Sequence, residues 1–274
     1  MRKLRVACKL FYLGDNYRGF QFQPDVDTVE GKIREALKEA KVIEDDVTSK
    51  FQGASRTDAL VHALGNVIAF NTNEKVIIPM INQFLPKDII IWAKKEVKDD
   101  FLPRFEAIKR HYKYITRYND ENFKKIEIAA KKIIGYHDFK NFSKKYENKN
   151  TFREIFELNI SQKSQFLIFD VIGTAFLYQM VRRIVNLLLD IGKGKLNEEI
   201  IDDYFSKELD ASERIGPVPL ENEGSLILWD IIFPFEFEID AYSFEKLYRY
   251  VNNFWRVYSL RLETMKLFQT FLNK

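Results

Sequence analysis

The strongest constraint on the fold is a change of hydrophobic period that runs through the chain twice in the same order. Period-two apolar alternation marks strands, and apolar recurrence every three to four residues marks helices. Residues 2–13 read as a strand, 29–40 as a helix, and 47–53 and 66–71 as strands; an apolar segment 76–85 and a strand 88–97 follow. After Asp99-Asp100 the order restarts: strand 107–118, helix 122–134 closed at Gly135, strands near 153–160 and 165–172, helix 176–191 closed at Gly192, a short helix near 197–205, and strand 225–233. Each half therefore has the β-α-β-β-α-β order of a ferredoxin-like unit. The expected fold is α+β: two such halves, with mainly antiparallel sheets side by side and a cleft between them. The boundary is expected near residue 103, giving units 1–103 and 104–274, the second ending in an added helical segment from Asp240. Within this scheme Asp27-Thr28-Val29-Glu30 reads as a capping box opening the first helix.

Composition narrows the class without naming a function. At 46% hydrophobic and 274 residues, the chain can bury a sizeable core. No apolar run reaches the roughly 18 residues of a membrane span. The N-terminus lacks a signal-peptide core, so the expected location is cytoplasmic. Cys8 is the only cysteine, which excludes an intrachain disulfide. One cysteine and three scattered histidines give no metal-ligand spacing.

Charge is unevenly spread. Residues 101–153 hold fourteen Lys/Arg against six Asp/Glu, whereas 197–240 hold two against thirteen. The basic stretch is interleaved with His111, Tyr112, Tyr114, Tyr118, Tyr136, Phe139 and Phe142. Cations attract phosphates and aromatic faces stack on unpaired bases; a solvated basic face over an aromatic core has the same composition.

The most informative segment is the inter-strand loop Gly53-Ala54-Ser55-Arg56-Thr57-Asp58-Ala59-Leu60-Val61-His62-Ala63. By itself Arg-Thr-Asp reads as a turn, with Asp58 accepting backbone hydrogen bonds. Other segments give it a context. Tyr12-Leu13-Gly14 leads to Gly19-Phe20-Gln21; Leu85-Pro86-x-Asp88-Ile89 follows. Arg104-Phe105 precedes Lys109-Arg110-His111-Tyr112-Lys113-Tyr114, and Gly135-Tyr136-His137-Asp138-Phe139 precedes Phe142. Met180-Val181-Arg182 lies in a helix, and Glu223-Gly224-Ser225-Leu226-Ile227-Leu228 in the last strand. In this order, over residues 4 to about 234, the segments resemble the motifs of the TruA-like pseudouridine synthases.

The resemblance implies an enzyme that isomerises uridine to pseudouridine in tRNA. The expected target is the anticodon stem-loop, roughly positions 38 to 40, where an unpaired base can be splayed out. No cofactor is implied, because the isomerisation involves no redox change. Asp58 would be the catalytic carboxylate, acting as nucleophile or base. Tyr112 would stack on the flipped uracil or help move a proton, and Arg182 would pair with Asp58. On the residues alone, Tyr112 reads as sheet core or sheet surface and Arg182 as a solvated helix face. Arg56, Arg110, His62, His137, Lys144 and Lys145 are the expected RNA contacts. A homodimer is implied as well.

Two positions depart from the family pattern: Ser55 and Leu60 stand where it has glycine. They leave room for two alternatives, a catalytically altered or inactive TruA-like RNA-binding protein, or a pseudouridine synthase for a different RNA site.

Overall fold

The computed structural model describes residues 4–144, 150–220 and 224–273; Lys145 and Glu223 lie outside them. The elements are β1 (Leu4–Tyr12), α1 (Val29–Glu39), α2 (Asp46–Ser49), β2 (Gln52–Gly53), β3 (His62–Thr72), α3 (Ile78–Phe84) and β4 (Ile89–Val97). There follow β5 (Lys109–Arg117), α4 (Phe123–Ile133), β6 (Gly135–Asp138), β7 (Phe152–Lys163), β8 (Phe166–Gly173), α5 (Met180–Gly192), α6 (Ile200–Ser206), β9 (Gly224–Ile232), β10 (Glu238–Ile239) and α7 (Ala241–Leu272). No described helix is long and apolar enough to cross a membrane.

The architecture is α+β, as expected, but the sheets are not separate. One ten-stranded sheet runs β10-β4-β1-β3-β9-β5-β8-β7-β6, with β2 paired to β3. Neighbouring strands are antiparallel throughout this sheet except at the β3–β9 seam, which is parallel and only two residues long, His62↔Ile227 and Ala63↔Leu228. Gly65 makes the seam possible. A Cβ there would lie 2.5 Å from the Asp230 carboxylate and 3.0 Å from the Trp229 carbonyl oxygen.

Successive strand residues face opposite sides of a sheet. Leu10 and Tyr12 join the main core, whereas Phe11 joins Ile90 and Leu247 in a small cluster on the other side, where α7 begins. In β5, Arg110, Tyr112 and Tyr114 are buried on one face, as their spacing predicts. His111 and Lys113 take the other face and pair there with Asp170.

Three local expectations are corrected. Residues 47–53 are not one strand: Asp45 accepts the Val47 and Thr48 amides at 2.7 and 2.8 Å and starts the short helix α2, leaving only Gln52–Gly53 extended. The first helix is capped by Thr28, not Asp27. Thr28 Oγ1 accepts the Gly31 amide at 3.2 Å, and Glu30 accepts the Phe22 amide instead of closing a capping box. Helix α5 starts at Met180 and not at Phe176, because Gln179 is left-handed (φ 63°) and breaks the helical path.

The seam generates a prediction. Gly65→Ala forces a Cβ against the β9 backbone, so it is expected to destabilise the protein by about 1–3 kcal/mol, the usual cost of overpacking. Urea unfolding followed by circular dichroism measures it.

Candidate active site

The catalytic candidate sits on the loop between β2 and β3, and the loop is held from several sides. Tyr12 Oη and Thr57 Oγ1 are 2.7 Å apart. The Asn66 amide donates to Tyr12 Oη and to the Ser55 carbonyl, both at 3.1 Å. The Phe20 amide donates to the Thr57 carbonyl at 3.0 Å. The turn at residues 14–20 lies flat against the loop because of its glycines. A Cβ on Gly14 would sit 2.4 Å from the Val61 carbonyl oxygen, and one on Gly19 (φ +97°) would sit 3.0 Å from the Thr57 carbonyl oxygen. Asp88 anchors the same turn, accepting from Tyr17 Oη at 2.7 Å and Asn16 Nδ2 at 3.0 Å. Several motifs seen in the sequence are thus parts that position one loop.

Asp58 lines a cavity of about 580 Å³ with walls from both halves of the chain: Arg56 and Val61 from the first; Arg104, Tyr112, Phe176 and Arg182 from the second. Burial raises the pKa of its carboxyl above the usual aspartate value, while the positive charges of Arg182 and Lys144 oppose the shift. The structure brings Asp58, Tyr112, Arg182 and Arg56 together as expected. Direct pairing of Asp58 with Arg182 is not formed, however; the Asp58 carboxylate makes no ion pair among the described residues. Arg182 Nε donates to the Val218 carbonyl at 2.8 Å, and the Val218 amide returns a bond to the Arg182 carbonyl at 3.2 Å. Arg182 acts on Asp58 through space, from a clamped position.

Tyr112 is 8% exposed and meets Phe176 edge to face, with ring centroids 5.1 Å apart. Its hydroxyl lies 3.1 Å from Ser55 Oγ. Burial raises its pKa, so the phenol stays protonated through the neutral range. The Ser55 contact was not foreseen: the serine that departs from the family glycine joins the loop to the tyrosine. Leu60, the other departure, has φ +67°. The loop keeps a left-handed backbone at the position where glycine would adopt it freely, at a steric cost of roughly 1–2 kcal/mol.

Several expected RNA contacts do other work. Arg110 is 7% exposed. Its guanidinium donates to the carbonyls of Thr174 and Arg104, each at 2.7 Å, and of Ala54 at 3.5 Å. It therefore ties three cavity walls together. His62 Nδ1 accepts the Gly14 amide at 3.0 Å, and burial lowers its pKa, so it is a neutral brace behind the loop. His137 lies outside the cavity lining, stacked on Phe205 at 4.2 Å with Nε2 3.1 Å from the Ile134 carbonyl. Lys144 is exposed over Tyr178, 5.9 Å from the ring, and its charge reaches Asp58. Arg104, Phe105, Arg153 and Gln179 also line the cavity. The Arg-Phe motif signalled the first two; Arg153 closes the basic stretch and Gln179 lies in the segment leading to Met180-Val181-Arg182, but neither was singled out as a site residue.

By fold and site this is an α+β protein presenting one half-buried carboxylate, beside a buried phenol, in a cleft rimmed with arginines. Residues 129–234 match the family model described as tRNA pseudouridine synthase. A tRNA pseudouridine synthase A of Archaeoglobus fulgidus is 40% identical over 246 residues, covering 89% of each chain. One of Methanothermobacter thermautotrophicus is 39% identical over 264 residues, covering 94% of this chain and 92% of its own length. One of Thermococcus sibiricus is 37% identical over 249 residues, covering 90% of this chain and 91% of its own. The chain belongs to the TruA family of tRNA pseudouridine synthases.

The raised pKa of Asp58 fixes the sign of a stability effect. A carboxyl with a raised folded-state pKa contributes stability that is fully present below its unfolded value and lost as pH rises through its folded value. Asp58→Asn cannot ionise. It is expected to raise the Tm relative to the parent at pH 7–8, with the gain fading below about pH 4. Thermal melts across that range measure it.

Proposed function

We propose that this chain isomerises uridine to pseudouridine in tRNA, with Asp58 as the reacting carboxylate and Tyr112 and Arg182 beside it. The observation that carries this reading is the single ionisable carboxylate held on a braced loop inside an arginine-rimmed cleft. The N1–C1′ bond breaks, the uracil turns, and C5 bonds to C1′. The C5 proton leaves to solvent and N1 gains one, so atoms balance without any redox partner. Asp58 serves as nucleophile or base. Tyr112 and Phe176 offer a dry aromatic wall for the uracil ring. Arg182 favours the ionised carboxylate. Arg56 has no side-chain partner among the described residues and is free to take a backbone phosphate or the space left by the flipped base. Lys144 extends the basic rim; Lys145, the other lysine expected to contact RNA, lies outside the described residues. The target is an unpaired or openable uridine of the anticodon stem-loop, roughly positions 38 to 40, and the enzyme acts in the cytoplasm.

Each half is read as a ferredoxin-like unit, 1–103 carrying Asp58 and 104–274 carrying Tyr112 and Arg182. The strand orders β4-β1-β3-β2 and β9-β5-β8-β7 support this. The left-handed Leu60 supports an active loop over an altered one, since the glycine-type backbone is kept.

The chain is read as a homodimer, and α7 supports it. Its first turns are seated on the sheet, with Phe244 against Trp92 and Tyr250 against Phe11. From Val251 onward the helix leaves the body with Val251, Trp255, Tyr258, Leu262, Met265, Phe268 and Leu272 exposed. Phe244, Leu247, Val251, Phe254, Tyr258, Arg261, Met265, Phe268 and Leu272 follow a three-four spacing, the seam of a paired helix. With roughly 150–250 Å² per aromatic side chain, the projecting face offers on the order of 1,000 Å² per copy, against about 800 Å² per partner in a standard interface.

Two outcomes are expected. Asp58→Asn should abolish tritium release from tRNA transcribed with C5-tritiated uridine while keeping tRNA affinity; retained turnover, with deamidation excluded, would sink the assignment. Met265→Glu combined with Phe268→Glu should convert the dimer to a monomer in light scattering, with the Tm of the sheet domain nearly unchanged, because both side chains lie beyond the seated turns.

A further inference from the structure

A second cavity, of about 420 Å³, adjoins the catalytic one. The two share Gln21, Gly53, Arg56, Arg104 and Phe105 in their linings. The second cavity is aromatic. Phe20 and Phe51 are buried in its floor, whereas Phe22 (52% exposed) and Phe105 (77%) stand open to solvent. The floor exists because residue 53 is glycine: a Cβ there would meet the Phe20 ring at 2.5 Å. Glu30 fixes the wall. It accepts the Phe22 amide at 3.0 Å and the Arg34 guanidinium at 3.0 and 2.5 Å, and Arg34 lies over the Phe51 ring at 4.7 Å.

The divider between the two cavities carries the argument. Arg56 and Arg104 are both exposed, and neither side chain has a hydrogen bond or ion pair among the described residues. Two unneutralised guanidiniums between two base-sized chambers match the repeat of a nucleic-acid strand, base–phosphate–base. Aromatic faces bind any unstacked base, and arginine is suited to the phosphate between two of them. The volume falls within the roughly 300–1,000 Å³ of small-ligand sites.

We propose that this second cavity is a nucleobase subsite. It takes the unstacked base of the nucleotide covalently next to the reacting uridine, with the linking phosphate on Arg56 and Arg104 and the base against Phe22 and Phe105. This rests on the reading of the Asp58 cleft as the uridine site. The enzyme thereby holds two consecutive nucleotides out of the stack, and its choice of site depends on how easily both open.

The test uses equilibrium binding, so that it does not depend on turnover. Anticodon stem-loop RNA is titrated against Asp58→Asn by fluorescence anisotropy, intact or with an abasic residue 5′ or 3′ of the target uridine. One of the two abasic RNAs should bind about tenfold more weakly, the scale of losing a stacked base. Phe22→Ala in the same background should weaken the intact RNA by a similar factor and leave that abasic RNA unchanged, while Phe22→Tyr restores the parent value. Phe22 is half exposed, and an unchanged Tm shows that the variant folds. If the two penalties multiply, or if neither abasic RNA loses affinity, the subsite is overturned. In that case tritium release by the wild-type protein still tests the uridine site separately.

Discussion

The two-residue parallel seam between β3 and β9 is the constraint on which the site depends. Along one row of the sheet Tyr12 pairs with Ala63, Ala63 with Leu228, and Leu228 with Tyr112. The row sets two tyrosines of different halves on either side of the Asp58 loop. Tyr12 bonds the loop at Thr57, and Tyr112 meets it at Ser55. A shift of one residue in the seam would turn alternate side chains to the opposite face and empty the cleft of Tyr112. The close approach at Gly65 therefore serves chemistry as well as packing.

Around that seam, positive charge is deployed in two ways. Arg110, Arg182 and Arg183 are bonded to backbone carbonyls, of Thr174 and Arg104, of Val218, and of Ile215. They hold irregular segments that regular structure cannot satisfy, since buried carbonyls need donors. The side chains of Arg56 and Arg104, at the cavity mouth, have no hydrogen bond or ion pair among the described residues. A polyanionic substrate would meet a preset positive rim without first breaking protein salt bridges. The field of the clamped arginine and of Lys144 opposes, without cancelling, the effect of burial on the Asp58 carboxyl.

The departures at Ser55 and Leu60 are accommodated without rerouting the loop. Ser55 gains a contact with the Tyr112 hydroxyl that a glycine could not make. Leu60 holds the left-handed backbone because the bonds on both sides of it over-determine the path: Val61 to the Asp58 carbonyl at 3.3 Å, and Phe20 to Thr57.

The sequence by itself determined the order of the longer elements, though not the short α2, β6 and β10, because hydrophobic period is a local property that needs several residues to show, and it determined the loop carrying Asp58, because the ordered motifs around it could be matched one by one. It placed Arg110, Tyr112 and Tyr114 on one face through strand alternation alone. It could not separate Arg110, whose three carbonyl partners are up to 64 residues away, from Arg56, whose side chain has none among the described residues. Nor could it show that His62 and His137 lie outside the cavity lining, that Gln179 breaks the helix before Arg182, or that two sheets join at a glycine. Those outcomes depend on contacts between segments distant in the chain. Residue type and spacing carry no information about which carbonyl a guanidinium will find, so only the tertiary structure decided them.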